Sequence, residues 1–124
     1  MQMRVIFKIA SAAEWEEARR TAQFHGSAVD RRDGYIHFST SNQVAETAAR
    51  HFAGIDRLVL AAIDADALGP ALKWEPSRGR DLFPHLYGAL PLAHVLWVKA
   101  LPLDTSGRHI FPDMGEDGRP GHPA

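Results

Sequence analysis

The sequence predicts an α+β fold, in a single small domain of mixed sheets with flanking helices. The 124 residues, 45% of them hydrophobic, are enough for one core and too few for two full domains. Short apolar runs typical of strands are interspersed with two stretches that open with helix-capping spacing. We expect the domain to span residues 1–103. Residues 104–124, rich in Gly, Pro and charge, are predicted to be a surface or disordered tail.

The first elements are a strand and a helix. Residues 4–9, "RVIFKI", are rich in β-branched and aromatic side chains, which favours a strand near the margin of a sheet. Ser11 and Glu14 have the spacing of a capping box, which predicts a helix to about Ala22. Residues 23–34 show no sustained period and end in a charged turn, so we expect a long loop there.

The stretch "YIHFS" alternates between two faces. A period of two places Tyr35, His37 and Ser39 on one face of a strand and Ile36 and Phe38 on the other. The apolar pair is expected to face the core, which turns the histidine and the hydroxyls away from it.

The remaining elements follow from capping and from apolar runs. Thr40 and Gln43 have capping-box spacing and predict a helix to about Phe52. Further strands are predicted at residues 58–63, 72–75 and 95–101, the first of them central and buried on both faces. Residues 83–88, "FPHLYG", contain a helix-incompatible proline and a glycine, so we expect an ordered loop.

The amino-acid composition argues against several classes of function. A net charge of −1 gives no general attraction to nucleic acid or to anionic membranes. The absence of cysteine excludes disulfides, thiolate metal sites and cysteine nucleophiles. The first ten residues are too short an apolar run for a signal peptide or a membrane span, so we expect a cytoplasmic protein without a membrane partner.

Polar residues near the second strand are candidates for a site. His37 and Ser39 share a face, and Thr40 lies at a strand-to-helix junction, where free backbone N–H groups favour a polar or anionic ligand. The simpler interpretation is a partly buried histidine bonded to a backbone carbonyl, with Thr40 as a helix cap.

A second group of candidates follows the strand "LKWE". Glu75 would stand beside a loop in which Arg78 and Arg80 can meet phosphate oxygens, although solvated side chains are the simpler interpretation. His85 and Tyr87 can project from an ordered loop. Alternatively, Phe83, Leu86 and Tyr87 fill the core and His85 caps a backbone carbonyl. No short metal-ligand spacing is present, and no metal site is predicted. A ligand site requires His37, Glu75, His85 and Tyr87 to converge.

Four motifs in order resemble a known family. "IFKI", "DGYIHFSTSNQV", "LKWE" and "FPHLYGALPLAHVLWV" resemble the bacterial domain of unknown function family 952, over about residues 3–103. That family is similar in fold to the ADP-ribosyltransferases, α+β proteins that bind NAD in a cleft between two small sheets. The resemblance therefore implies a cleft and NAD as a possible cofactor.

The resemblance also implies roles for individual residues. "IHFST" is similar to a His-Leu-Ser pattern of the RNA 2′-phosphotransferase branch, with His37 and Ser39 matching. Lys8 stands where that branch has a histidine on its early strand, and Glu75 is the candidate for the glutamate that orients the ribose. Glu75 and His37 are the catalytic candidates, and the ligand-binding candidates are Ser39, Thr40, Arg78, Arg80, His85, Tyr87 and Lys8.

Two functional hypotheses remain open at this point. The first is an ADP-ribosyltransferase-like enzyme that handles NAD or another nucleotide. The second is a non-catalytic domain that binds a small polar or nucleotide-like ligand, or a partner, through the same residues. Lys8 in the place of the expected histidine favours the second.

Overall fold

Antiparallel strands and short helices make up the fold, seen in a computed structural model that describes residues 4–77, 79 and 81–114. The strands are β1 (Val5–Ser11), β2 (Gln23–Phe24), β3 (Ile36–His37), β4 (Leu58–Asp64), β5 (Leu72–Pro76), β6 (Leu82–Leu86), β7 (Leu90–Pro91) and β8 (Val95–Leu101). The α-helices are α1 (Ala12–Thr21), α2 (Ala28–Asp33) and α3 (Val44–His51), and 3-10 helices cover Ala65–Ala71 and Leu92–His94. The prediction of a small α+β domain is confirmed.

The largest sheet has the order β1-β4-β8, with β4 in the centre. Residues 60–63 of β4 are completely buried, because helices cover both faces of the sheet. On one face Trp15 of α1 packs against an apolar cluster that includes Ile63, and on the other Val44 of α3 packs against a cluster that includes Leu60. The predictions of a central strand at 58–63 and of a first strand at the sheet margin are both confirmed.

A second sheet, of order β3-β6-β5, carries the candidate residues. Its register places His37 directly opposite His85. The two sheets are joined by a pair of backbone hydrogen bonds: Phe7 N–H donates to the Ser39 carbonyl at 2.8 Å, and Ser39 N–H donates to the Phe7 carbonyl at 2.9 Å. β2 and β7 form a separate two-stranded ribbon. The link through Phe7 holds β3 against the large sheet.

Helix α1 begins as its sequence predicts. The Ser11 hydroxyl accepts a hydrogen bond from Glu14 N–H at 3.0 Å, and the Glu14 carboxylate accepts one from Ser11 N–H at 3.0 Å. This reciprocal pair satisfies two of the free donors at the start of the helix. Helix α3 begins later than predicted: residues 41–43 form a turn, and of the expected pair only the bond from Thr40 N–H to the Gln43 side chain is present, at 3.0 Å.

Two segments predicted to be loops contain regular structure. Residues 23–34 hold strand β2 and the six-residue helix α2, which is too short to show a helical period in the sequence. Most of the expected loop at 83–88 belongs to β6, the middle strand of its sheet. Pro84 lacks an N–H donor, but its carbonyl accepts a hydrogen bond from Phe38 N–H at 3.0 Å, so it still contributes to the ladder. Both predictions were wrong.

The segment after β8 runs back along the large sheet. Phe111 and Met114 pack, partly buried, against the same apolar cluster as Phe52 and Trp97. Residues 115–124 of the expected tail lie outside the described residues, so a domain boundary at residue 103 stays a prediction. In the part of the chain that the structure describes, no helix has both the length and the apolar character needed to cross a bilayer.

Candidate functional site

Aromatic and imidazole rings meet at the end of the second sheet, in what we call the histidine cluster: Tyr35, His37, Glu75, His85 and Tyr87. The His37 and His85 rings are 5.6 Å apart in an edge-on arrangement, since the β3–β6 register places them opposite each other. The Tyr35 ring stacks on His85 at 4.1 Å and lies 5.2 Å from Tyr87. The structure thus brings together the four residues whose convergence a site requires. Their roles stay predictions.

Glu75 is held by two side chains of the cluster. Its Oε1 atom accepts hydrogen bonds from His85 Nδ1 and from the Tyr87 hydroxyl, each at 2.8 Å. These bonds, that from His85 first, hold the pKa of Glu75 below its usual value, and the same carboxylate raises the pKa of Tyr87. The Glu75 side chain is 35% exposed, so the cluster presents an ionised and oriented carboxylate to solvent.

His37 lies between two carboxylates rather than beside a backbone carbonyl. Its Nδ1 is 2.6 Å from Asp30 Oδ1, and its Nε2 is 3.0 Å from Asp33 Oδ2. Only a ring with a proton on each nitrogen can donate to both. The side chain is 32% exposed, so solvent reaches the ring from the open side.

Asp30 is, with Asp33, a residue of this site that sequence reasoning missed. It is 1% exposed and accepts four hydrogen bonds: from Lys8 Nζ at 2.8 Å, Ser27 N–H at 2.9 Å, His37 N–H at 3.1 Å and His37 Nδ1 at 2.6 Å. Burial alone would raise the pKa of Asp30, but the bonds from His37 and the charge of Lys8 hold it well below its usual range. The spacing of Ser27 and Asp30, that of a Ser-x-x-Asp helix start, was the available signal.

Lys8 is buried and bound to internal partners. Its ammonium group donates to Asp30 at 2.8 Å and to the His37 carbonyl oxygen at 3.0 Å. Burial lowers the pKa of Lys8, and the charge of Asp30 opposes that change. A ligand contact of the kind predicted for Lys8 would have to replace one of these bonds. In this structure Lys8 instead neutralises Asp30 and holds β3.

The other predicted ligand-binding residues are more dispersed. The buried Ser39 hydroxyl lies 3.0 Å from the hydroxyl of Thr47 on α3. Thr40 precedes α3 and has its N–H bonded to Gln43, which is local stabilisation of the helix start. Arg78 and Arg80 lie outside the described residues.

A depression of about 770 Å³ adjoins the cluster. His37, His85, Lys8 and Ser39 line it, whereas Glu75 and both tyrosines do not. Arg32 and Arg50 also reach its wall. Among residues 4–77, 79 and 81–114, no three His, Asp or Glu side chains are grouped so that they could hold a metal ion.

Gly26 leaves space for Asp30, and Gly26→Ala tests this. Gly26 has φ +98°, and a Cβ atom there would lie 2.8 Å from the Cβ of Asp30. Gly34 has a similar φ of +89° with nothing near its Cβ position, so Gly34→Ala is a matched control with equal strain and no clash. We expect Gly34→Ala to lower the free energy of unfolding by about 1–2 kcal/mol, and Gly26→Ala by about 2 kcal/mol more, in urea titrations. Equal losses would contradict the close approach.

The fold and the site define a small antiparallel α+β domain with a carboxylate-bound pair of histidines. The chain belongs to the family described as protein of unknown function (DUF952), whose model matches residues 9–98. It is similar to the crystal structure of protein CC0527 from Caulobacter crescentus, with 48% identity, a TM-score of 0.83, and coverage of 86% of this chain and 93% of that one. The solution NMR structure of CC0527 gives 49% identity, a TM-score of 0.76, and coverage of 84% and 90%.

No curated protein matches this chain. The predicted membership of the domain of unknown function family is confirmed by the family model. The likeness to ADP-ribosyltransferases, and the NAD cofactor that it implies, stay predictions.

Proposed function

We propose that this domain binds a nucleotide, with NAD as the first candidate, and transfers its ADP-ribosyl group. The observation that carries the proposal is Glu75: an ionised, one-third exposed carboxylate, oriented by His85 and Tyr87. Tyr87 is 42% exposed beside it and offers a face on which an aromatic base can stack. A ring-binding surface next to an oriented negative charge is suited to a nucleoside.

The proposed reaction breaks the bond between the ribose C1′ and nicotinamide, whose ring nitrogen keeps the electron pair. An acceptor oxygen or nitrogen then bonds to C1′ and loses its proton to solvent. Positive charge develops on the ribose in between, and a fixed carboxylate such as that of Glu75 stabilises such charge without having to reorganise. In this proposal His37 and Ser39 hold the ribose hydroxyls, and the phosphate contacts fall to Arg78 and Arg80.

The test is to incubate the pure protein with NAD labelled in its adenylate part, together with cell extract. Nicotinamide release and transfer of label are expected, and Glu75→Gln should reduce both about 100-fold. Glu16→Gln is the matched control, because Glu16 is an exposed glutamate on α1 whose carboxylate lies 3.9 Å from Arg19. Neither release nor transfer by the unaltered protein would count against the proposal.

Binding without turnover is the second candidate, and the engaged state of His37 and Lys8 favours it. Both ring nitrogens of His37 already contact carboxylates, and the Lys8 ammonium is bound internally. NAD, ADP-ribose and nicotinamide can be titrated while the imidazole and tyrosine resonances are followed by NMR. Shifts of His37, His85 and Tyr87 that disappear in folded His37→Ala but persist in His25→Ala, without nicotinamide release, would select this candidate. If none of the three compounds perturbs these residues, both candidates are excluded.

A further inference from the structure

The site contains two carboxylate–histidine pairs on neighbouring strands. Asp30 binds His37 Nδ1 at 2.6 Å, and Glu75 binds His85 Nδ1 at 2.8 Å. The two imidazole rings lie 5.6 Å apart on β3 and β6. A histidine that only fills space in the core needs neither a bound carboxylate nor a second histidine nearby. The two pairs therefore indicate a role beyond packing.

The pairing defines which nitrogen of each ring exchanges protons. An ionised carboxylate only accepts hydrogen bonds, so the proton shared with Asp30 or with Glu75 resides on Nδ1 of the histidine. The Nε2 atom of each ring is then the one that can take up or give away a proton. This is the arrangement in which a carboxylate orients a histidine for general acid–base catalysis.

The Nε2 atom of His85 reaches solvent although the residue as a whole is buried. Within the described residues no hydrogen bond is made to this atom, and no buried side-chain nitrogen or oxygen there lacks a partner. It must therefore keep some exposed surface. His85 is among the residues that line the depression, so a substrate bound there lies close to this ring.

The Nε2 atom of His37 is covered by Asp33, the last residue of α2. Asp33 is 30% exposed, and its other oxygen is bound by Arg32 Nε at 3.1 Å. Rotation of this surface side chain uncovers a His37 ring that keeps its bond to the buried Asp30. A protonated His37 can then donate from Nε2 to a substrate.

Both rings face the same space. Tyr35 lies against them on one side, 4.1 Å from His85 and 4.7 Å from His37, and does not line the depression. On the other side the depression has Arg32 and Arg50 on its wall, together with the carboxylates of Glu14, Asp30 and Asp33. Each guanidinium is paired through Nε, with Asp33 and with Glu46, and its other N–H groups can donate to the oxygens of an anionic substrate.

We propose that His37 and His85 form a general acid–base pair that hydrolyses a nucleoside 2′,3′-cyclic phosphate, an activity beyond the proposed ADP-ribosyl transfer. Water attacks phosphorus and gives one proton to Nε2 of neutral His85. The bond from phosphorus to one ribose oxygen breaks, that oxygen keeps the electron pair, and it takes a proton from Nε2 of protonated His37. The product is a nucleoside phosphomonoester, and the two histidines return to their starting states by proton exchange with solvent.

This class of substrate fits the pair for a chemical reason. The reaction needs one proton removed from the attacking oxygen and one delivered to the leaving oxygen, so it uses an acid and a base at the same time. The cyclic phosphate is a compact monoanion, whose oxygens can accept hydrogen bonds from the guanidinium groups of Arg32 and Arg50.

The test uses 2′,3′-cyclic AMP with the full-length protein and EDTA, and follows hydrolysis by ³¹P NMR. Turnover is expected in the unaltered protein, with a loss of about 100-fold or more in both His37→Gln and His85→Gln. His25→Gln, which changes an exposed histidine outside the depression, should retain full activity. Because the assay contains no NAD, its result is independent of the ADP-ribosyl transfer test.

A second measurement keeps the proposal falsifiable if a variant fails to fold. Long-range ¹H–¹⁵N spectra of the unaltered protein should show His37 and His85 as Nδ1–H tautomers whenever they are neutral, and 2′,3′-cyclic AMP should shift the Nε2 signals of both. Lack of hydrolysis by the folded protein, or an Nε2–H tautomer at either ring, would overturn the proposal. Hydrolysis that survives both substitutions would do the same.

Discussion

Replacing Asp30 with alanine should lower the free energy of unfolding by about 3–5 kcal/mol. Asp30 is buried with Lys8, and the substitution leaves the Lys8 ammonium inside the protein without its counter-charge. It also removes the acceptor for Ser27 N–H and for two donors of His37. Because small domains are stable by about 5–15 kcal/mol, this is a large share of the total, and urea titration measures it directly.

Two companion variants separate the buried charge from a general effect of losing an aspartate near His37. Asp33 also contacts His37 but is partly exposed, so Asp33→Ala should lower stability by about 1 kcal/mol or less. The double variant Lys8→Met with Asp30→Leu removes both charges, and should be more stable than Asp30→Ala alone. Equal losses of stability in Asp30→Ala and Asp33→Ala would show that the Lys8–Asp30 pair stabilises the fold no more than an exposed contact with His37 does.

The same carboxylate predicts how stability depends on pH. The pKa of Asp30 is lowered in the folded protein, so the unfolded chain binds a proton at higher pH than the folded one. The stabilisation is therefore complete above the pKa of an unfolded aspartate, about 3.9, and is lost as pH falls toward the folded value. Stability of the unaltered protein should decline below about pH 4, with a shallower decline in Asp30→Ala. Identical slopes would contradict the depressed pKa.

Replacing Phe7 with alanine should lower the free energy of unfolding by about 3–5 kcal/mol. The Phe7 ring is completely buried, and its centre lies 6.0 Å from the ring of Trp97. Alanine would remove that contact and leave a cavity in the cluster between the large sheet and α3. Urea titration gives the loss, and an unchanged slope with denaturant shows that the fold is retained.

Two control variants show what part of the loss in Phe7→Ala comes from the buried cavity. Phe7→Leu keeps much of the apolar volume and should lose on the order of 1 kcal/mol. Val29→Ala shortens an apolar side chain that is 42% exposed on α2, and should stay within about 0.5 kcal/mol of the unaltered protein. A loss in Phe7→Ala as small as that in Val29→Ala would mean that the cavity collapses, or that this cluster contributes little.

Elements whose conformation depends on residues close together in the sequence could be predicted. The capping box of Ser11 and Glu14 joins residues three apart, and the alternation around His37 follows from strand geometry alone. The uninterrupted apolar run of β4 shows that both faces are covered. In each case the signal and the structure that it predicts occupy the same few residues.

The missed elements depend on contacts between distant segments. Helix α2 is six residues long, and its carboxylate is bound by Lys8 and His37, 22 and 7 residues away. Strand β6 contains a proline, which argues for a break, yet pairing with β3 and β5 on its two sides keeps it extended. Short segments of this kind take the conformation that their partners stabilise.

Part of the candidate site could be predicted from local sequence patterns, and part is visible only in the tertiary structure. The residue types and the face that His37 occupies were evident in "DGYIHFST", and the irregular stretch "KWEPSRGRDLFPHLYG" offered Glu75, His85 and Tyr87. Only the tertiary structure showed that Lys8 is paired with Asp30 instead of being free to bind a ligand, and that each histidine is bound to a carboxylate. The reason is physical. Periodicity and capping act over a few residues, whereas a buried charge takes whichever opposite charge the packing of distant segments brings within reach.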